Sequence, residues 1–137
     1  MTTARARWWA PVYLYAALIF MVSSIPRVLP PQIKIPFLDK GLHMIEYGLL
    51  GFLLTRALFH DSPSGLRQNF RFWAVLFALL YGVSDEWHQS FVPMREASVW
   101  DALFDGVGAA IGQLFFSHGK DVTVPWDTRK RPISAKS

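Results

Sequence analysis

The residues of this chain that could do chemistry fall in three short, regularly spaced groups. Asp39, Lys40, His43, Glu46 and Tyr47 form the first. Asp85, Glu86, His88 and Gln89 form the second, with Arg95 beyond a Pro-containing turn, and Asp101 with Asp105 form the third. An imidazole such as that of His43 titrates near neutral pH and suits general acid–base work. Glu86 would orient that proton or act as its partner. Asp105 lies a full helical turn beyond Asp101 and needs a partner, for which His43, Lys40 and Arg95 are the candidates. A guanidinium at Arg95 suits bidentate contact with a phosphate, with Lys40 as a second cation. The candidate catalytic residues are therefore His43, Glu86 and Asp105, and the candidate binding residues are Lys40, Tyr47, Gln89, Arg95 and Asp101.

Each has a plainer alternative. His43 would simply hydrogen-bond Glu46 or a neighbouring helix. Arg95 would pair with Glu96 or tie down Asp101. Ser98 and Asp101 have the spacing of a helix capping box. On a helix, Asp85 pairs with His88 and Glu86 with Gln89, and the two pairs point to different sides. Glu86 and Gln89, with Gly82 on the same stripe, are the expected inward pair, leaving Asp85 and His88 to meet headgroups and water. No cofactor is assigned. A divalent metal is possible in principle, because His43, Glu86, His88, Asp101 and Asp105 are hard-to-borderline ligands. No HExxH spacing supports one, and no metal ligand is assigned. GxSxG, Walker and dinucleotide motifs are absent from the sequence.

The elements that must carry these groups are apolar. The 137 residues suffice for one domain, and they are 52% hydrophobic and 18% charged against about 25% in water-soluble domains. The absence of cysteine excludes disulfides and thiolate chemistry. The net charge of +4 does not point to nucleic acid, because the basic residues lie between apolar segments and in the tail.

Trp8 to Ile25 is an 18-residue run without a charge, long enough for a membrane helix and opened by interfacial tryptophans. A cleaved signal peptide is its rival reading. Pro26, Pro30, Pro31 and Pro36 then impose an extended connection. The second helix is expected from about Lys40 to Phe59, capped by Asp39, with Asp39, His43, Glu46, Tyr47 and Leu50 on one face and Leu, Ile, Phe and Gly opposite. Residues 60–69 read as a turn. The third helix runs from about Phe70 to Gln89, and Pro93 sets the break after it. The fourth runs from about Val99 to Phe116, where Gly108 and Gly112 form a GxxxG pair that admits another helix closely. The expected fold is an all-α integral membrane protein, a compact four-transmembrane-helix domain over residues 1–116. A polar, basic cytoplasmic tail follows over 117–137.

Four spans put both termini on one side. Placing that side in the cytoplasm leaves ten basic residues there and four (Arg27, Lys34, Lys40, Arg95) outside, as the positive-inside rule requires. All three chemical groups then lie in the outer half of the membrane, where isolated charges are costly. One shared pocket open to the extracytoplasmic side is the expectation.

At these residues the chain resembles the VanZ-like family of bacterial membrane proteins. The matching pieces are Asp39-Lys40-x-x-His43 with Tyr47, then Asp85-Glu86-x-x-Gln89-x-Phe91-x-Pro93-x-Arg95, then Ser98-x-x-Asp101-x-x-x-Asp105-x-x-Gly108-x-x-x-Gly112. Met94 stands where such proteins often have Gly, and Asp105 where many have Asn. The resemblance implies a small helical domain of the bacterial cytoplasmic membrane, acting on headgroups of lipids or lipid-linked envelope precursors at the outer face. The family's namesake is associated with teicoplanin resistance, which the motif alone does not carry over. The expected function is transfer or hydrolysis at a phosphate-containing headgroup. The alternative is a non-catalytic protein that binds a lipid-linked precursor or a glycopeptide antibiotic. A transporter is disfavoured, because no polar path reaches the inner side.

Overall fold

The structure is a computed structural model that describes residues 3–26, 38–95 and 97–116, with side chains from Arg5 in the first stretch and Lys40 in the second. Expectations for the Pro-rich connection, for the Asp39 cap and for the 117–137 tail lie outside the described residues. The described residues form helices α1 (Thr3–Ser23), α2 (Leu38–His60), α3 (Ser64–Gln68), α4 (Phe70–Gln89) and α5 (Val99–Gly112), followed by a 3₁₀ turn, Gln113–Phe115. No strand occurs among them.

All four expected helices are present, with local corrections. The segment read as a turn contains α3, a single turn of helix started by Pro63, whose carbonyl accepts from the N–H groups of Leu66 and Arg67. The last helix stops at Gly112, four residues earlier than expected, and tightens into the 3₁₀ turn. The Ser98–Asp101 capping box does not form, since the Ser98 side chain makes no cap bond. The partners that would close it are engaged across the bundle, as described below.

Among the described helices, only the Lys40–His60 part of α2 has the length and hydropathy needed to cross a bilayer. The 14 residues of α5 rise about 21 Å, short of a hydrocarbon core of about 30 Å. Helix α4 carries Asp85 and Glu86 near its end, and α1 mixes Arg5, Arg7 and Pro11 with its apolar residues. The surface is nevertheless apolar on every long helix. Leu14, Ile45, Trp87, Val99 and Phe115 are each at least 70% exposed. The interior holds large apolar side chains, Ile19, Leu50 and Leu58, together with small and polar ones, Ala57, Ala74, Ala78 and Ala109 beside Tyr47, Thr55 and Asp105. So many large apolar side chains on the surface as well are unusual for a protein in water.

The small residues let helices meet at the backbone. A methyl group added at Gly108 would collide with the carbonyl of Met44, and one at Gly112 with the carbonyl of Gly48. The glycines of α2 take part too, because a methyl at Gly51 would strike Ala109. The side of α2 that flanks the polar stripe, with Met44, Gly48 and Gly51, is therefore in part the seat of α5.

Helix α1 is fastened by polar contacts at intervals. Near its start the Trp9 indole N–H donates to Asp61, Arg5 pairs with Asp61 at 3.3 Å, and Trp8 stacks on His60. Midway, the Tyr81 hydroxyl donates to the Ala16 carbonyl at 2.6 Å. Its far end belongs to the site.

Candidate functional site

Close approach of α5 to α2 decides which groups meet. The glycine seam holds the two helices in register, so Asp105, one turn before Gly108, lies against His43, one turn before Tyr47. His43 Nδ1 and Asp105 Oδ1 are 3.0 Å apart, and both residues are buried. Helix α4 closes the third side. Gly82 gives the space, because a methyl there would lie 2.7 Å from Asp105 Oδ2. One turn further along α4, Glu86 faces the same point. Ligand-capable atoms of His43, Glu86 and Asp105 all lie within 4.8 Å of one another. The three candidate catalytic residues are thus brought together from three helices.

The surrounding residues fix this centre. The backbone N–H of Ser98 donates to Glu86 Oε2 at 2.7 Å, so the start of α5 is tied to α4 through a carboxylate. Lys40 donates to Asp101 Oδ1 at 2.6 Å, joining α2 to the first turn of α5. That bond takes the carboxylate that the capping box would have used. Tyr47 is fully buried, its ring 6.5 Å from that of His43. Among the described residues, Tyr47 Oη, Glu86 Oε1, Asp105 Oδ2 and Asp85 Oδ1 are buried without a hydrogen-bond partner.

Asp85 is the residue that sequence reasoning misplaced. Instead of meeting headgroups it is 4% exposed, accepting from Ser23 of α1 at 2.8 Å and from Gln89 at 2.9 Å. The reason is geometric: α4 is covered by α1 as well as by α2 and α5, so its inward arc is wider than one stripe. The i,i+4 spacing of Asp85 and Gln89, and Ser23 at the end of an apolar run, were the available signals. His88 also turns to α1, 3.0 Å from Ser24 Oγ and with its ring against Phe20.

Arg95 closes the outer end. Its Nε donates to the Ile25 carbonyl at 3.3 Å, Nη2 to the Val22 carbonyl at 3.1 Å and Nη1 to Gln89 Oε1 at 3.2 Å. The guanidinium thus gives the Ile25 carbonyl, just past the end of α1, a donor, and adds a second donor to the Val22 carbonyl, which also accepts from the Ile25 N–H. Neither Glu96 nor Asp101 is needed to explain its position. The turn that presents it has Met94 at φ 63°, in the left-handed region. Such a conformation costs a non-glycine residue about 1–2 kcal/mol.

The candidate centre does not open directly outward. His43, Glu86 and Asp105 are 7%, 6% and 0% exposed. A cavity of about 440 Å³ lies beside them, lined by Phe20, Tyr81, Asp85, Trp87, His88 and Phe91 among others. The expected single open pocket is therefore a buried ionisable centre with an amphipathic cavity as its neighbour, and Asp85 stands on the border of the cavity.

Compared with protein-family models, the chain matches the VanZ/LLP1 model over residues 3–120. The chain belongs to the VanZ/LLP1 family. No curated protein and no solved structure is similar enough to count as a match. The VanZ/LLP1 match takes in α1, which the motif resemblance over 39–112 did not reach. That extension agrees with the role of α1 here, since Ser23, Val22 and Ile25 all contact site residues. Proteins of this family are typically membrane-associated, which accords with the apolar exterior of the VanZ/LLP1 bundle.

In this VanZ/LLP1 chain Met94 occupies the position at which the resemblance expects glycine, and its positive φ explains that expectation. Met94→Gly is expected to stabilise the protein by about 0.5 kcal/mol, the strain relieved less the greater entropy lost by glycine. Met94→Val is expected to destabilise it by about 1 kcal/mol, because a branched side chain is worse at positive φ. Thermal melting of the three proteins in one detergent checks the order.

Proposed function

We infer that this chain is a four-span protein of the bacterial cytoplasmic membrane with both termini inside, which transfers or hydrolyses the phosphate-containing headgroup of a phospholipid or lipid-linked envelope precursor. The observation that carries the reading is the buried contact between His43 and Asp105 with Glu86 beside it. A histidine oriented by a carboxylate is a general base waiting for a hydroxyl. The apolar surface on all four long helices supports insertion, although only α2 meets the length and hydropathy criteria.

In this reaction His43 takes the proton from the attacking hydroxyl, of water or of an acceptor alcohol. The new P–O bond forms to that oxygen. The old P–O bond breaks to the leaving oxygen, which receives the proton back from His43. Asp105 holds the imidazole, and when water attacks, the partnerless Glu86 Oε1 accepts from its second O–H. Lys40 and Arg95 stand at the rim with donors left over, since Arg95 engages three acceptors with its five N–H groups.

The test is headgroup release. The purified chain is reconstituted with phospholipids of several headgroups, and separately with a polyprenyl-linked precursor, and soluble phosphorylated products are followed by mass spectrometry. Release or exchange in one of them, lost with His43→Ala, is the expected outcome. No conversion of any substrate, with the protein folded, overturns the catalytic reading.

A second reading has its own observation. The 440 Å³ cavity is lined by aromatic rings and polar groups but not by His43 or Asp105. A non-catalytic protein would seat a lipid-linked precursor or a glycopeptide there, with Arg95 and the aromatic rings important and His43 replaceable by Gln or Asn.

A further inference from the structure

The charges inside this bundle do not balance. Among the described residues four carboxylates are buried: Asp85, Glu86, Asp101 and Asp105. Asp101 has Lys40 as its counterion. Asp85 has two neutral donors, Ser23 and Gln89. Arg95 is directed at Gln89 and at two backbone carbonyls. Glu86 has only the Ser98 N–H and Asp105 only His43, so two adjacent carboxylates share no fixed cation among the described residues. Each also has one buried oxygen without a partner. Buried anions without a counterion are costly, and orphaned lone pairs add to that cost.

We propose that His43, Glu86 and Asp105 form a binding site for a divalent transition-metal ion, of the Zn²⁺ or Mn²⁺ type. Donor atoms of all three are within 4.8 Å of one another, and they come from α2, α4 and α5. The 3.0 Å between His43 Nδ1 and Asp105 Oδ1 equals the edge spanned by two ligands at about 2.1 Å and about 90°. Glu86 offers Oε1, which has no partner, while Oε2 accepts from the Ser98 N–H. One imidazole with two carboxylates suits Zn²⁺ or Mn²⁺. Ca²⁺ wants six to eight oxygens, and Mg²⁺ keeps most of its waters. Three protein ligands leave coordination positions open, as in catalytic rather than structural sites. Gly82 contributes by absence of a side chain, since any Cβ there would press on Asp105 Oδ2 and turn it from the shared point.

The site goes beyond the catalytic reading given above and replaces its proton relay, because His43 with Nδ1 on a cation carries its proton on Nε2 and is no base; the cation would instead supply the positive charge that a phosphate needs in an acidic interior. Its test does not depend on that reading. The full-length chain is purified in detergent, stripped with a chelator and titrated with Mn²⁺, the free ion being followed by its paramagnetic resonance signal. Zn²⁺ is titrated by calorimetry. One saturable ion per chain is expected, with a higher melting temperature. His43→Ala, Glu86→Gln and Asp105→Asn are each expected to weaken binding by more than about 30-fold. His60→Ala, on the far end of α2, is expected to bind as the native chain does, which separates the site from surface histidines. Glu86→Gln and Asp105→Asn keep side-chain shape, so at least one remains informative if His43→Ala does not fold. Binding that is absent, or that survives all three substitutions, overturns the site. Metal binding without headgroup conversion would retain the site and remove the reaction, and conversion without metal would do the reverse.

Discussion

Replacing His43 by alanine is expected to lower headgroup turnover about 10²–10⁴-fold, the usual contribution of a positioned general acid–base group. The fold should survive, because the seam that joins α2 to α5 is made by Gly48, Gly51, Gly108 and Gly112 and not by the imidazole. His43→Gln discriminates between the two functional readings. An amide preserves a hydrogen bond to Asp105 but cannot relay a proton. A catalytic protein should therefore lose nearly as much with glutamine as with alanine, while a binding protein should lose little. Asp105→Asn is expected to cost nearly as much, about 10²–10⁴-fold, because an amide does not stabilise the imidazolium that forms when His43 takes the proton. Initial rates for the four proteins at one lipid density decide the matter, with helical content measured on the same samples.

The largest effect on stability is expected at the glycine seam. A side chain at Gly112 points at the backbone of Gly48, which cannot rotate away as a side chain would. Gly112→Leu should destabilise the bundle by about 3 kcal/mol, at the upper end of usual overpacking costs. Gly41 is the matched control, as nothing lies within 4 Å of the place where its Cβ would be. Gly41→Ala should stabilise by about 0.5–1 kcal/mol through helix propensity alone. The opposite sign of two glycine replacements, read from unfolding midpoints in detergent, separates packing from propensity. Gly112→Leu should also impair turnover, since moving α5 takes Asp105 from His43.

The parts of this fold that were legible in the sequence are those set by local pattern. Continuous apolar runs marked the four long helices, Pro93 marked the break, and the Gly108–Gly112 spacing marked a close helix contact. The meeting of His43, Glu86 and Asp105 was also accessible, because the start of α2, the end of α4 and the first half of α5 lie at one level when the helices alternate in direction. What escaped depends on tertiary contact. Asp85 looked outward because helical spacing places it off the Glu86 stripe, yet the covering helix α1 turns that direction inward. Asp101 has a cap's position, but Lys40 from another helix outcompetes the local bond. Arg95 reads as a free cation, and only the fold brings the Val22 and Ile25 carbonyls within its reach. Gly48 and Gly51 were hidden because a glycine on an apolar helix looks the same whether it faces lipid or a partner's backbone.

The attachment of Arg95 to Val22 and Ile25 also bears on biogenesis. The guanidinium follows its two carbonyl acceptors by 73 and 70 residues. The ribosome therefore delivers the first helix long before it delivers the clasp. During that interval the end of the helix lacks the guanidinium. Release of the later loop adds the last of its contacts, after those from Asp61, Tyr81 and Asp85, so a ribosome stalled before that loop should leave the far end of the helix less firmly held.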